Sequence, residues 1–393
     1  MVAVACTRTA APEAGWRSDL HALAAELATH HKNPFFHVSE AAWRRAVSDL
    51  DARLPQLDDA HAIVGFVRLA AMIGDSHTRV NLPRMRLYPV QFLWFDDGVF
   101  VGGADAADAW AIGKRVTAIG GHPIADVLAT VGALVAHEND AWLRNEVPAM
   151  LSDPVVLVGT DLAAGDTATI ALADGAGTRV LTVAAGAGVR LAPPRVLPLH
   201  LQGPTQLAYW NTYVADRRLL YLQYNECAND DRVGSFAKFA AETLAFADAH
   251  PVDRFAIDLR SNSGGNSAIL EPLVDGLAAR PALAGRVFVL IGRSTFSSAV
   301  MNASELKRRL GATLVGTPTG GTPNGYGEVR SFELPYSHLD GQYSTKRWSD
   351  EHYRGDTIPP DVLVHVTSDD WFSGRDPGMD AVQATPVPPP PPR

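Results

Sequence analysis

From Leu219 onward the chain repeats one pattern, a short apolar run, a glycine-rich turn and an amphipathic stretch. That repeat restricts the fold more than any other feature of the sequence. Leu219-Leu-Tyr-Leu-Gln-Tyr predicts a strand and Val233 to His250 a helix. Arg254-Phe-Ala-Ile-Asp-Leu is the next strand, and Ser263-Gly-Gly-Asn turns into a helix over Ser267 to Ala279. Arg286-Val-Phe-Val-Leu-Ile follows, and Arg293 to Phe296 turns into a helix over Ser297 to Leu310. Ala312-Thr-Leu-Val-Gly gives a further strand before Thr317-Pro-Thr-Gly-Gly. Alternating units of this kind imply a largely parallel α/β sheet. In such sheets the loops beyond the strand C-termini build the site. Each of those loops here carries Gly, Ser, Thr or Asn.

The preceding half has a different texture. Between Trp16 and Ile73 apolar residues recur at helical spacing in three stripes, Leu20 to Leu27, Trp43 to Leu54 and Ile63 to Met72, with Asn33-Pro34 as a break. They predict a helical N-terminal unit over 16–85. From 90 to 198 short β-type runs alternate with turns such as Gly120-Gly121, and one helical stretch, Ile124 to Ala136, interrupts them. This predicts a small, mostly β insert, followed by an α/β core over 205–384. Pro386 and the run Pro388 to Pro392 read as a disordered polyproline tail over 385–393. With 393 residues, 47% hydrophobic and 20% charged, the chain can bury a large core across several structural units.

A net charge of -9 without a clustered basic face speaks against a nucleic-acid partner. Cys6 and Cys227 form neither a disulfide framework nor a metal-type spacing. No apolar run reaches the length of a membrane span. Met1-Val-Ala-Val-Ala-Cys6 is small and apolar but lacks a basic n-region and a full h-region. It reads either as the stump of a trimmed export or lipoprotein signal or as an untidy terminus.

Three segments could carry chemistry. Ser297 follows an apolar strand and opens a helix, where free N–H groups and partial positive charge suit a developing oxyanion. A serine at that place is more commonly a plain helix cap. Arg260-Ser-Asn-Ser-Gly264-Gly265-Asn266 lies at the equivalent place one strand earlier, and its paired glycines permit either close approach to a ligand or simply a tight turn. Gly74-Asp75-Ser76-His77-Thr78 ends the third helix and places a histidine in a small polar turn, as a general base requires. Ser304-Glu-Leu-Lys307 matches S-x-x-K but lies inside a predicted helix without its companion motifs, so it is set aside. No phosphate-binding loop, dinucleotide fingerprint or H-E-x-x-H is present, and the motifs call for no metal or organic cofactor.

Taken in order, these segments resemble the tail-specific (C-terminal-processing) serine peptidase family, in the branch with the tricorn core protease and the repeats of interphotoreceptor retinoid-binding protein. The resemblance runs from about Leu20 to Ala384. It rests on His31-Lys-Asn-Pro-Phe, Ile73-Gly-Asp-Ser-His77-Thr, Tyr221-Leu-Gln-Tyr-Asn and Asp258-Leu-Arg-Ser-Asn-Ser-Gly-Gly. It continues in Gly292-Arg-Ser-Thr-Phe-Ser297-Ser-Ala, Val315-Gly-Thr-Pro-Thr-Gly-Gly, Ile358-Pro-Pro-Asp-Val and Gly374-Arg-Asp-Pro. It implies a crotonase/Clp-protease-like α/β core and a diverged PDZ-like insert. By position, Ser297 falls on the family nucleophile, and the N–H groups of Ser298 and of Gly264 or Gly265 on its oxyanion hole. The lysine of tail-processing members falls near Thr322, whereas Ser76-His77 matches the Ser-His pair of tricorn-type members, making His77 the base and Ser76 its partner. Glu351 or Asp356 would orient the imidazole, with Lys346 as a substitute base. The resemblance thus implies a serine peptidase acting on peptides or unfolded protein, in the cell envelope or outside. The alternatives are a non-catalytic binder of apolar ligands or peptides, and an esterase or lactonase on the same site.

Overall fold

Residues 12–83, 85–175, 177–187 and 197–388 are described by the computed structural model, so the Cys6 end and the prolines from 389 onward lie outside the described residues. Three helices lead, α1 (Pro12–His30), α2 (Glu40–Arg53) and α3 (Asp59–Ala71). Ser39 and Asp58 start α2 and α3 by accepting from the N–H groups of Ala42 and His61, donors that a helix start leaves free. Strand β1 (Arg79–Val80) leaves this unit just past the His77 turn.

The insert follows. It contains β2 (Val90–Phe95), β3 (Gly98–Ala104), β4 (Val116–Ile119), β5 (His122–Pro123), α4 (Ile124–Gly132), α5 (Asp140–Met150), α6 (Pro154–Gly159), β6 (Thr167–Asp174) and β7 (Gly177–Ala184). Strands β2 and β3 form a hairpin of their own, while β5-β4-β6-β7 make an antiparallel four-stranded sheet. Among the described residues there are three α-helices here where the sequence predicts one. In α5 a mid-helix proline and polar residues hide a buried side made by Trp142, Val147 and Met150. The insert and the N-terminal helices share one core, in which Leu20, Phe66 and Leu69 belong to the same apolar cluster as Val101, Ile119 and Ile170.

The C-terminal half begins with α7 (Leu199–Gln202), β8 (Tyr209–Val214), β9 (Leu219–Tyr224), α8 (Phe236–Ala249), β10 (Arg254–Asp258), α9 (Glu271–Ala278) and β11 (Val287–Ile291). It continues with α10 (Ser298–Leu310), β12 (Thr313–Gly316), β13 (Tyr326–Glu333), β14 (Asp340–Arg347), β15 (Val362–Leu363), α11 (Ser368–Phe372) and α12 (Pro377–Ala384). The main sheet runs β15-β12-β11-β10-β9-β8, parallel throughout except for the antiparallel edge strand β8. Strands β9 and β11 are buried at every position, as expected of parallel strands covered on both faces. Residues of α8, α9 and α10 cover one face, and Met379 and Val382 of α12 cover the other.

One element departs from this layering. Strands β13 and β14 form a hairpin that leaves the core and pairs with β1, Arg79 opposite Gln342 and Val80 opposite Gly341. Leu334, Leu339 and Tyr343 of this hairpin pack into the N-terminal core. The His77 turn is thereby fastened to a segment that starts beside the strand ends of the core. The start of the proline tail is also held, since the Arg286 guanidinium donates to the Pro388 carbonyl at 2.6 Å. No helix among the described residues is long and apolar enough to cross a membrane.

Candidate active site

Ser297 stands between β11 and α10, and the turn before it is pinned to the loop after β10. Thr295 Oγ1 accepts from the Gly292 N–H at 2.9 Å and donates to the Leu259 carbonyl at 2.8 Å, while the Phe296 N–H donates to the Asn262 carbonyl at 3.0 Å. So constrained, Ser297 adopts φ 51° and ψ -125°, a backbone state costly for any residue with a side chain. Although it is the first residue outside α10, its hydroxyl caps no helix N–H. The ordinary reason for a serine at this place is therefore absent.

Two backbone loops with candidate N–H donors lie against it. A Cβ on Gly264, whose φ is +113°, would come within 2.7 Å of the Ser297 Cβ, so only glycine lets the two loops approach this closely. The Gly264 N–H is committed to Asn262 Oδ1 at 2.9 Å. By contrast, among the described residues the N–H groups of Gly265 and Ser298 have no internal hydrogen bond. The Ser298 hydroxyl donates to the Gly265 carbonyl at 2.6 Å and ties the two loops together. Asn262, fully buried, is the strut of this arrangement: its Nδ2 donates to the Tyr224 carbonyl at 2.9 Å while its Oδ1 receives Gly264.

His77 and Ser297 line the same cleft of about 380 Å³, whose walls include Val300, Met301, Tyr326 and Trp348. The imidazole lies over Phe296 with ring centres 4.4 Å apart, and Phe296 in turn stacks on Trp142 at 4.0 Å. Both imidazole nitrogens are buried without a hydrogen bond among the described residues, and Nδ1 is 3.9 Å from Asp75 Oδ1. Burial, helped by the charge of Arg79, holds the His77 pKa below its ordinary value against the opposing pull of Asp75. The resting imidazole is thus neutral near pH 7, the form a base needs.

Asp75 is the hub of the turn. It is fully buried, accepts from the His77 N–H at 3.1 Å and the Thr78 hydroxyl at 2.6 Å, and contacts His31 Nε2 at 3.1 Å. His31 Nδ1 accepts the Asn33 N–H, so its proton is on Nε2 and is donated to Asp75. Burial would raise the Asp75 pKa, yet the His31 bond, the nearness of His77 and the hydroxyls of Ser344 and Thr78 hold it low. The His31-Lys-Asn-Pro-Phe segment therefore serves the turn that carries His77.

The remaining sequence candidates are placed as follows. Ser76 directs its N–H to Glu138 Oε1 at 3.2 Å, and its hydroxyl is buried without a partner. Glu351 and Asp356 are exposed in the segment between β14 and β15. No hydrogen bond or ion pair among the described residues joins either to His77, and Asp356 meets the site only through its carbonyl, which accepts from Asn139 Nδ2 at 2.7 Å. Lys346 is half-exposed and paired with Glu328 at 3.1 Å. Thr322 lines the cleft. Ser304 and Lys307 are taken up by Asp350 and Asp361. Among the described residues no cluster of three or more His, Cys, Asp or Glu could hold a metal ion. Sequence reasoning missed Asn262, Glu138 and the roles of Asp75 and Trp142. Only Asp75, two residues before the histidine, carried a local signal.

No family model matches the chain, and no curated protein matches it in sequence. Solved structures do. Mature CPAF complexed with lactacystin is 15% identical and aligns over 94% of this chain and 98% of its own, with a TM-score of 0.70. Mature CPAF alone gives the same identity and TM-score over 94% and 96%. A serine-to-alanine mutant of CPAF is 14% identical with a TM-score of 0.68, again over 94% and 96%. At such identity the likeness is one of fold. It extends over nearly the full length of both chains, so this chain shares the fold of CPAF.

Proposed function

We propose that this chain is a serine-type peptidase that hydrolyses peptide bonds through an acyl-enzyme on Ser297, with His77 as general base and acid. The observation that carries the reading is the state of Ser297. It is strained, uncapped, set against two N–H groups that are free among the described residues, and shares its cleft with a buried imidazole whose nitrogens make no hydrogen bond there. His77 Nε2 takes the Ser297 hydroxyl proton as Oγ attacks the scissile carbonyl carbon. The N–H groups of Gly265 and Ser298 receive the oxyanion, and Asp75 stabilises the imidazolium. His77 then protonates the leaving amine, and a water deprotonated by His77 attacks the acyl ester to free Ser297. The substrate is a peptide or an unfolded segment of protein, in keeping with the family resemblance. On the same ground the C-terminal half is a crotonase/Clp-protease-like core and the insert a diverged PDZ-like module.

The test is to incubate the protein and its Ser297→Ala variant with a library of unstructured peptides and follow cleavage by mass spectrometry across pH. We expect cleavage by the parent only. Because burial depresses the His77 pKa, its acid limb should fall below the ordinary imidazole value of about 6.5. Equal cleavage by both proteins, or none by the parent, would remove the peptidase reading.

A further inference from the structure

Beneath the cleft lies a second carboxylate that the mechanism above does not use. Glu138 belongs to the connection between α4 and α5, in the insert, and its Oε1 accepts the Ser76 N–H at 3.2 Å. Its Oε2 is buried without a partner, and so is the Ser76 hydroxyl. Two unsatisfied buried polar atoms on residues already joined by a backbone bond are a costly arrangement. The Ser76 hydroxyl is close enough to pull the Glu138 pKa down as a hydrogen-bond donor does. A Cβ on Gly325, a residue of the cleft, would lie 3.6 Å from Glu138 Oε1.

We infer that Glu138 is a positioning residue for His77. Through the Ser76 N–H it fixes the turn that carries the imidazole, and that bond becomes charge-assisted when Glu138 ionises. This rests on the peptidase reading and gives the site a pH-dependent element supplied by the insert. The groups around Glu138 bear this out. From the His77 turn it meets Ser76 and the charge of Asp75. Thr322 and Gly325 lie on the cleft side without charge. Ser76 also lines an adjoining cavity together with Arg79 and Glu146. Burial first, and Asp75 second, push the Glu138 carboxyl up to about 7 against its bond to Ser76. It therefore gains its charge as pH rises through neutrality, whereas His77 is already neutral there.

The experiment compares the full chain with Glu138→Gln, which keeps an acceptor for the Ser76 N–H but cannot ionise. Peptide cleavage is measured from pH 5 to 9, and the His77 ring signals are followed by NMR over the same range. We expect the parent to show a second rise in kcat near pH 7 and a matching inflection of the neutral His77 signals. In the variant both should be absent, with kcat about 10-fold lower at pH 8 and a deficit that shrinks below pH 7, as loss of a charge-assisted contact implies. Should Glu138→Gln fail to fold, Ser76→Ala, which keeps the backbone bond, should show a similar loss at pH 8 and a smaller one at pH 6. Parallel pH profiles, or a parent whose His77 signals lack the inflection, would overturn the proposal. An inflection that Glu138→Gln abolishes, in a parent that cleaves no peptide at any pH, would keep the Glu138 link to His77 and discard the peptidase reading.

Discussion

Ser297 concentrates the conflict between stability and chemistry in a single backbone. Its φ of 51° and ψ of -125° lie where a Cβ is crowded, at a cost of about 1–3 kcal/mol. The surroundings enforce it: the Thr295 and Phe296 bonds fix the turn, and Gly264 leaves no slack beside the Ser297 Cβ. Removing the side chain should release that strain, less about 1 kcal/mol for the greater freedom of an unfolded glycine. Ser297→Gly should therefore be inactive yet melt about 2 °C above Ser297→Ala, which keeps the Cβ and the strain. Thermal unfolding of the two variants side by side decides the matter, and a Ser297→Gly midpoint below that of Ser297→Ala, as glycine's freedom alone would give, would show that the backbone bears no strain here. The comparison isolates conformation because neither variant retains the hydroxyl.

At the level of elements, the insert does more than hang from the core. Its segment from Glu138 to Asn145 touches the loop that bears Gly320 and, twice, the turn before Ser297. Asn139 donates to the Gly320 carbonyl at 2.9 Å, Trp142 stacks on Phe296, and Asn145 accepts from Ser294 in the turn before Ser297. Arg293, in the same turn, donates to the Trp94 carbonyl of β2. Trp142→Ala should cost about 3 kcal/mol in chemical denaturation, as for other buried large aromatics. It should also lower kcat in the protein that remains folded, because Phe296 loses the ring that steadies it under His77. Unchanged kcat in a folded variant would show that the insert does not organise the turn. None of this was legible in the sequence, and the reason is physical. The βα repeats announce themselves because strands buried on both faces are runs of apolar residues, and their turns must be glycine. The β13 and β14 hairpin shows mostly polar residues on both sides, as in Tyr-Gly-Glu-Val-Arg-Ser-Phe-Glu, so no alternation marks it. The Ser297 and His77 motifs are legible as local strings. Glu138 is not, because what makes it matter is a contact with a distant turn.

On the scale of the whole molecule, one buried charge network ties the C-terminal helices to the site loop. Arg260, the second residue of the loop that bears Gly264 and Gly265, donates to Asp258 at the end of β10 and to both oxygens of Asp376, which caps α12. Tyr221 donates to Asp258 at 2.7 Å, and His200, on α7, meets Asp376 at 3.1 Å. Burial alone would raise both carboxyl pKa values, but Arg260 and then His200 hold them below the ordinary range. A carboxylate depressed in the folded state stabilises above its unfolded pKa of about 4 and loses that contribution as pH falls through the folded value. Without the guanidinium the sign reverses: two like charges remain buried, their pKa values rise, and protonation relieves them. Arg260→Met should therefore cost about 3–5 kcal/mol at pH 7, the usual penalty for leaving buried partners unpaired. The deficit should narrow by pH 4.5, where the parent still holds both carboxylates ionised and the variant has begun to protonate its own. Urea denaturation at the two pH values measures this. An equal deficit at both would mean that Arg260 holds the helices to the sheet by packing rather than by charge.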